Sequence, residues 1–286
     1  MDMIEKDKEW DLIITPKKSF FSVDVKSIWK YRDLLTLFVK KDFISVYKQT
    51  VLGPVWFFVQ PILTTITFTV IFGNVAKIST DGLPKILFYM AGITLWNYFA
   101  ECLNKTSNTF VVNQGIFGKV YFPRIITPLS VVINCLLKLA IQLFMFAGFW
   151  CYYYFVINID IMIKPTVFLL PLLIVVIAIM GLGFGMIISS MTTKYRDLTF
   201  LVGFGVQLLM YTSPVIYPLS AVPEQYKWLI MLNPMSSIIE LFKYSLLGVG
   251  YLDWFWLGYS VIISIVLFIV GFLIFNKVEK SFIDTV

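Results

Sequence analysis

The chain contains no histidine. Every mechanism that needs an imidazole is therefore closed to it, including Ser-His-Asp hydrolysis, His-dependent acyl transfer and HExxH zinc chemistry. Cysteine is scarce as well. Cys102, Cys135 and Cys151 sit in apolar stretches without CxxC spacing, so neither a disulfide framework nor a metal site is suggested. Charged residues make up only 14% of the 286 positions, well below the roughly 25% of soluble domains. What is present instead is apolar: 59% hydrophobic and 17% aromatic residues, with a mean hydropathy of +0.84. Such a surplus calls for a solvent other than water, and the chain reads as an integral membrane protein.

At about 20 apolar residues per crossing, six spans are expected, near 54–73, 86–105, 128–157, 166–190, 198–219 and 254–275. An even number places both termini on one side. The first 50 residues are charged and lack the pattern of a cleaved signal, so the first span is expected to stay in the mature protein. Lys77, Lys85, Lys164, Lys227 and Lys243 fall on one side of this topology, Lys138 lies within a span, and every other Lys and Arg falls on the opposite side with the termini. By the positive-inside rule both termini are cytoplasmic. The net charge of +6 needs no nucleic acid as partner, because cationic loops facing anionic lipid account for it.

Residues 1–27 read as a cytoplasmic arm and 28–50 as an amphipathic helix at the membrane surface. Ile28, Tyr31, Leu35, Phe38, Val39 and Val46 share one face, Lys30, Asp33, Lys40, Lys41 and Lys48 the other, and Asp42 interrupts the apolar face. A lipid anchor and a platform for a cytoplasmic partner fit this pattern alike. In the third span Ser130, Asn134, Lys138 and Gln142 recur every four residues, a polar stripe that must face protein or a watery path. Glu101 and Lys138 fall at similar depth and are expected to form a buried pair.

Gly181, Gly183 and Gly185 follow no strand and sit among Leu, Ile and Met, so close helix packing explains them better than a dinucleotide fingerprint. Gly115, Gly118 and Lys119 lack the GxxxxGK[ST] spacing of a phosphate loop, so no ATP hydrolysis is expected from this chain alone. Residues 214–253 are too apolar for an ordinary loop, yet Pro214, Pro218, Pro223 and Pro234 forbid one continuous helix. Short helices dipping into the outer leaflet as a gate, or a hairpin lying on the surface, both suit that composition. Aromatics such as Trp56, Trp96, Tyr98, Trp150 and Trp254 cluster near span ends as an interfacial belt. Any that face inward have rings suited to stacking on sugars. The loop acids Asp81, Asp160, Asp197, Glu224 and Asp253 form no close pair in sequence, which argues against a membrane glycosyltransferase or acyltransferase.

Leu52-Gly53-Pro54-Val55-Trp56 with Pro61, the run Asn113 to Arg124 (NQGIFGKVYFPR), Tyr195-Arg196-Asp197, and Ser213 to Pro218 (SPVIYP) followed by Leu232-Asn233-Pro234-Met235 together resemble the permeases of type-2 ABC exporters. The likeness runs from about residue 30 to the end and is nearest to permeases for lipid-linked O-antigen polysaccharide, with teichoic-acid and capsule permeases as near relatives. It implies an all-α domain over 51–286 that forms a homodimer and works with two copies of a separate ATPase, which binds the ATP and Mg. No cofactor is implied in this chain itself. The implied substrate is an undecaprenyl-linked polysaccharide moving between two subunits through the inner membrane. The ATPase-coupling role falls on the loop 106–127, with Asn113, Lys119, Tyr121, Phe122, Pro123 and Arg124, and on Lys40, Lys41 and Arg196. Arg124 is expected to pair with a carboxylate across the ATPase interface. The outer gate falls on 220–247, with Tyr217, Pro218, Asn233, Pro234, Glu240 and Lys243. Many relatives have Arg before an aromatic where this chain has Lys243-Tyr244, which keeps the charge and loses a bidentate fork. Trp56, Tyr98, Lys138, Gln142 and Tyr211 are the candidates for the channel wall.

Overall fold

The computed structural model describes residues 29–48, 53–120, 122–195 and 197–282. Among them every regular element is helical and there is no strand. The arm 1–27, and Tyr121 and Arg196 among the coupling candidates, lie outside the described residues.

Helix α1 (Arg32–Lys48) comes first. A short 3₁₀ turn then leads into α2 (Trp56–Phe68), which contains Pro61 and widens into a π-helical stretch, Thr69–Val75. Pro61 has no N–H to give the Phe57 carbonyl one turn back, so the helix starts with a missing rung. Helix α3 (Lys85–Ser107) begins directly after Pro84, and the short α4 (Thr109–Phe117) follows it. Then come α5 (Ile126–Phe155), α6 (Leu170–Thr192, entered through the 3₁₀ turn Pro165–Leu169) and α7 (Leu198–Tyr211). A hairpin of α8 (Glu224–Met231) and α9 (Pro234–Leu247) precedes the final helix, α10 (Trp254–Phe282).

Five of these helical segments are long and apolar enough to cross a membrane: Trp56–Val75, Lys85–Ser107, Ile126–Phe155, Pro165–Thr192 and Trp254–Glu279. The fifth expected span, 198–219, is shorter than its composition suggests. Its helix stops at Tyr211 after 14 residues, about 21 Å at 1.5 Å per residue. Pro214 disfavours helical backbone at Ser213, and the apolar residues beyond it, Val215 and Ile216, are buried against protein. Burial against protein and burial in lipid look alike in composition, so the apolar run in the sequence is longer than the helix.

Helix α3 is the axis of the bundle. Leu87, Tyr89, Leu95, Cys102 and Leu103 are fully enclosed on several of its sides by α5, α6, α9 and α2. The glycines of α6 make this possible. A Cβ on Gly181 would meet the Cys102 Cβ of α3 at 2.8 Å and one on Gly185 the Thr106 Cβ at 2.5 Å, while one on Gly183 would meet the Phe268 backbone nitrogen of α10 at 2.5 Å. Two glycines thus seat α6 on α3, and the one between them seats it on α10. A second cluster lies at the end of the bundle where α1 packs, built from Phe38, Phe110, Phe117, Phe122, Ile126, Met186 and Phe275. This is the α1 end of the bundle, and the opposite one is the hairpin end.

Helix α9 is well terminated. The Asn233 side chain accepts from the Met235 N–H at 3.1 Å, Pro234 opens the first turn, and Gly248 takes the left-handed conformation at φ 76° that ends it.

Candidate functional site

At the α1 end, α1 lies across α5, where the polar stripe expected from the sequence meets it. Asn134 donates to the Val39 carbonyl at 3.1 Å, Ser130 is fully buried and donates to Thr127, and Gln142 is half-buried. One turn along, Lys138 of α5 bonds Oε1 of Glu101 on α3, and Lys105 reaches the same oxygen at 2.7 Å. The Lys138 ammonium also lies 5.4 Å from the ring centre of Phe57 on α2, which in turn stacks on Phe43 of α1. The expected Glu101 and Lys138 side chains therefore meet, and Lys105 joins them.

Asp42 interrupts the apolar face of α1 in sequence. It is half-buried, and burial raises its carboxyl above the ordinary value while Lys41 and Lys105 pull the other way. Asp42 thus adds a second carboxylate near Lys105. Replacing Glu101 by Gln removes the carboxylate that Lys105 and Lys138 share. Glu101→Gln should cost about 2 kcal/mol in detergent unfolding, and Glu101→Gln with Lys138→Gln should recover part of the loss.

The run after α4 is anchored inward. Phe122 is buried, Pro123 is half-buried and Arg124 is 5% exposed. The Arg124 guanidinium lies 5.3 Å from the Phe117 ring centre and donates to the Glu279 carbonyl of α10 at 2.7 Å. Burial lowers the Arg124 pKa, with the Glu279 carboxylate opposing. The Arg124 guanidinium is thus engaged within the chain, by Glu279 of α10. Lys40, Lys41 and Lys119 are exposed beside this run, and Asn113 turns back to its own helix, donating to the Thr109 carbonyl at 2.9 Å. Phe110 of α4 stacks on Phe275 of α10, with ring centres 4.6 Å apart.

At the hairpin end, Lys243 is 1% exposed. It donates to the Pro214 carbonyl at 2.6 Å, lies 3.5 Å from the Phe88 ring centre of α3 and 4.0 Å from Glu240 Oε1. Glu240 accepts from the Tyr251 N–H at 2.9 Å. The segment held by Lys243 crosses α3 at Gly92, where an added Cβ would meet the Val215 Cα at 3.0 Å. Pro218 is buried, Tyr217 half-buried, and Ser220 donates to Asp81 at 2.7 Å. One ion pair thus gathers α3, the 212–218 segment, α9 and the turn before α10.

Of the channel candidates, Trp56 and Tyr211 are exposed at opposite ends of the bundle. Tyr98 is packed in the core at 3% exposure and presents no open face. Lys138 and Gln142 look onto α1 and α3 or stay half-covered. Sequence reasoning missed Glu279, although a carboxylate in the last turns of a helix opposes the macrodipole and so points to a basic partner. No group of three or more metal-binding side chains occurs among the described residues.

Five helices long and apolar enough to cross a membrane, with polar clusters gathered at the two ends of their bundle, define a multi-pass membrane protein. The chain belongs to the ABC-2 type transporter family, whose profile matches residues 33–247. It is 28% identical over 261 residues to the O-antigen export system permease protein RfbA of Klebsiella pneumoniae, covering 88% of this chain and 94% of that one. A protein of the same name from Myxococcus xanthus is 26% identical, with 77% and 82% covered. The polysialic acid transport protein KpsM of Escherichia coli is 22% identical, with 82% and 89% covered.

Proposed function

We propose that the chain is the permease subunit of an ATP-driven exporter of undecaprenyl-linked O-antigen polysaccharide across the bacterial inner membrane. The observation that carries this reading is likeness, over most of both chains, to O-antigen export permeases. In this reading α7 and the segment after it complete a sixth crossing, both termini are cytoplasmic, and the α8–α9 hairpin dips into the outer leaflet as the gate. Two copies form the channel, and two copies of a cytoplasmic ATPase bind Mg and ATP and press on α1 and residues 106–127. The apolar faces of α2 and α7 are left open in one copy, with Phe200, Leu201 and Phe204 all more than half exposed, which suits walls completed by a second subunit. A long glycan cannot enter about 30 Å of hydrocarbon unaided, whereas its polyprenyl anchor can remain in lipid.

Deleting the gene and probing spheroplasts with a membrane-impermeant glycan reagent tests this. Lipid-linked polymer should accumulate on the cytoplasmic face. Absence of the polymer would favour a role in synthesis, and polymer still reaching the outer face would reject the export role. The likeness to KpsM supports a second reading, a capsular-polymer exporter, which predicts trapped capsule polymer in the same assay.

A further inference from the structure

Helix α7 is loosely held. Of its 14 residues only Val206 is buried, and between α7 and α6 lies a cleft of about 260 Å³. Phe184, Ile188 and Met191 line it from α6, and Leu198, Gly205 and Leu209 are among those that line it from α7. No lining side chain is polar. Gly205 leaves room, since nothing lies within 4 Å of a Cβ built there. From Leu198 to Leu209 the cleft follows about 16 Å of helix, half of the roughly 30 Å of hydrocarbon in a bilayer. It begins at the α1 end beside the turn from α6 to α7, where Lys194 is exposed and its ammonium lies 5.4 Å from the Tyr195 ring centre. Asp197 is exposed on the same turn. The opposite face of α7, with Phe200, Phe204 and Tyr211, is exposed as well.

We propose that this cleft seats the tail of a polyprenyl phosphate, with Lys194 as the cation that meets the phosphate. The inference rests on the proposed function, whose substrate carries such an anchor, and names where the chain would hold it. Three features select the occupant. The cleft has the length of one leaflet, so it takes a lipid standing in the membrane with its head at the α1 end. Its walls are apolar throughout while a cation stands at its mouth, the order of groups that an anionic amphiphile presents. It is also one slot, which suits a lipid with one chain, whereas a phospholipid would leave its second chain outside. The first isoprene units fill the cleft and the rest of the tail stays in the bilayer. Asp197 repels the phosphate, so binding of the head depends on Lys194. A head held at this turn is one helix width from the face of α7 assigned to the channel wall. The glycan then has to round a single helix to enter, and the tail need never leave lipid.

The test uses the full complex with its ATPase, purified in detergent, and undecaprenyl phosphate carrying a photoreactive diazirine in its first isoprene units. Cross-links should map to residues 184–191 and 198–209, and unlabelled undecaprenyl phosphate should compete where phosphatidylglycerol does not. Gly205→Leu, which fills the cleft, should remove most of the labelling. Gly148→Leu, on an exposed position of α5 where an added Cβ also meets nothing, should leave it intact. Lys194→Gln should weaken competition by undecaprenyl phosphate about fivefold, the weight of one cation on an anionic lipid, and leave competition by uncharged undecaprenol unchanged. Equal competition by phosphatidylglycerol would show ordinary membrane lipid in the cleft and overturn the assignment. Cross-links elsewhere, or full labelling of Gly205→Leu, would overturn the site, and so would absence of labelling, which is expected if a second copy covers the cleft. Should Gly205→Leu fail to accumulate, the position of the cross-links in the unsubstituted complex decides alone. Each of these failures leaves the export reading standing, whereas polymer still reaching the outer face in the deletion strain rejects export whatever the labelling shows.

Discussion

Gly271→Leu is expected to abolish accumulation of the folded chain, and Gly271→Ala to destabilise it by about 3 kcal/mol, the upper part of the range for overpacking a rigid interior. The reason is geometric. The atom that a Gly271 Cβ would strike is a backbone carbonyl oxygen of α6 at 2.2 Å, and backbone within a helix cannot rotate aside as a side chain can. The helices must separate, and the contacts along the α6–α10 seam go with them. Gly183→Ala should behave alike, because its added Cβ would meet the Phe268 nitrogen at 2.5 Å. Gly258 and Gly203 are internal controls. Nothing lies within 4 Å of a Cβ at either position, and in a helix Ala is favoured over Gly by up to about 1 kcal/mol. Gly258→Ala and Gly203→Ala should leave stability unchanged or raised. Unfolding in a mixed-detergent titration, with membrane levels measured alongside, separates the two groups. Equal losses at Gly258 and Gly271 would refute the packing account.

Lys243→Met should cost about 3–5 kcal/mol, the usual penalty for removing one partner of a buried charge pair. Its ammonium leaves three things behind. The Pro214 carbonyl loses its donor, the Phe88 ring its cation, and Glu240 its opposite charge, with Oε1 already lacking a hydrogen-bond partner. Glu240→Gln is milder, since an amide oxygen can still accept from the Tyr251 N–H and Lys243 keeps Pro214. Because the stranded carboxylate is the main cost, Lys243→Met combined with Glu240→Gln should be more stable than Lys243→Met alone. Thermal unfolding in detergent measures the order. A double variant worse than the single would show that Lys243 acts through Pro214 and Phe88 and owes little to Glu240. In Lys243→Arg the broader planar head must fit a site that now holds a single ammonium between a carbonyl and a ring, so a loss there reports shape.

Much of this architecture is legible along the chain. Apolar runs mark the crossing helices to within a few residues, the four-residue spacing of Ser130, Asn134 and Lys138 marks a face turned to protein, and the alternate glycines of α6 mark tight seams. The misses share one cause: burial against protein and burial in lipid look the same in composition. Val215 and Ile216 extend the apparent fifth span for that reason, and Tyr98 is read as a wall residue when it is core. Partners far away in sequence are the other blind spot. Asp42 looks like a flaw on α1 until α3 brings Lys105 near it, and Arg124 looks available until Glu279, 155 residues on, takes it.

Helix α3 is the least apolar of the five long segments and also the most deeply enclosed. Those two properties belong together, and they bear on how the polypeptide is made. A helix carrying Lys85, Glu101 and Lys105 gains little from lipid by itself, and the neighbours that shield it, α5, α6 and α9, are synthesised after it. Its residence in the bilayer is thus secured by later arrivals. Lys138 meets Glu101 only once α5 has been made, which makes assembly of this protein a matter of timing as much as of hydrophobicity.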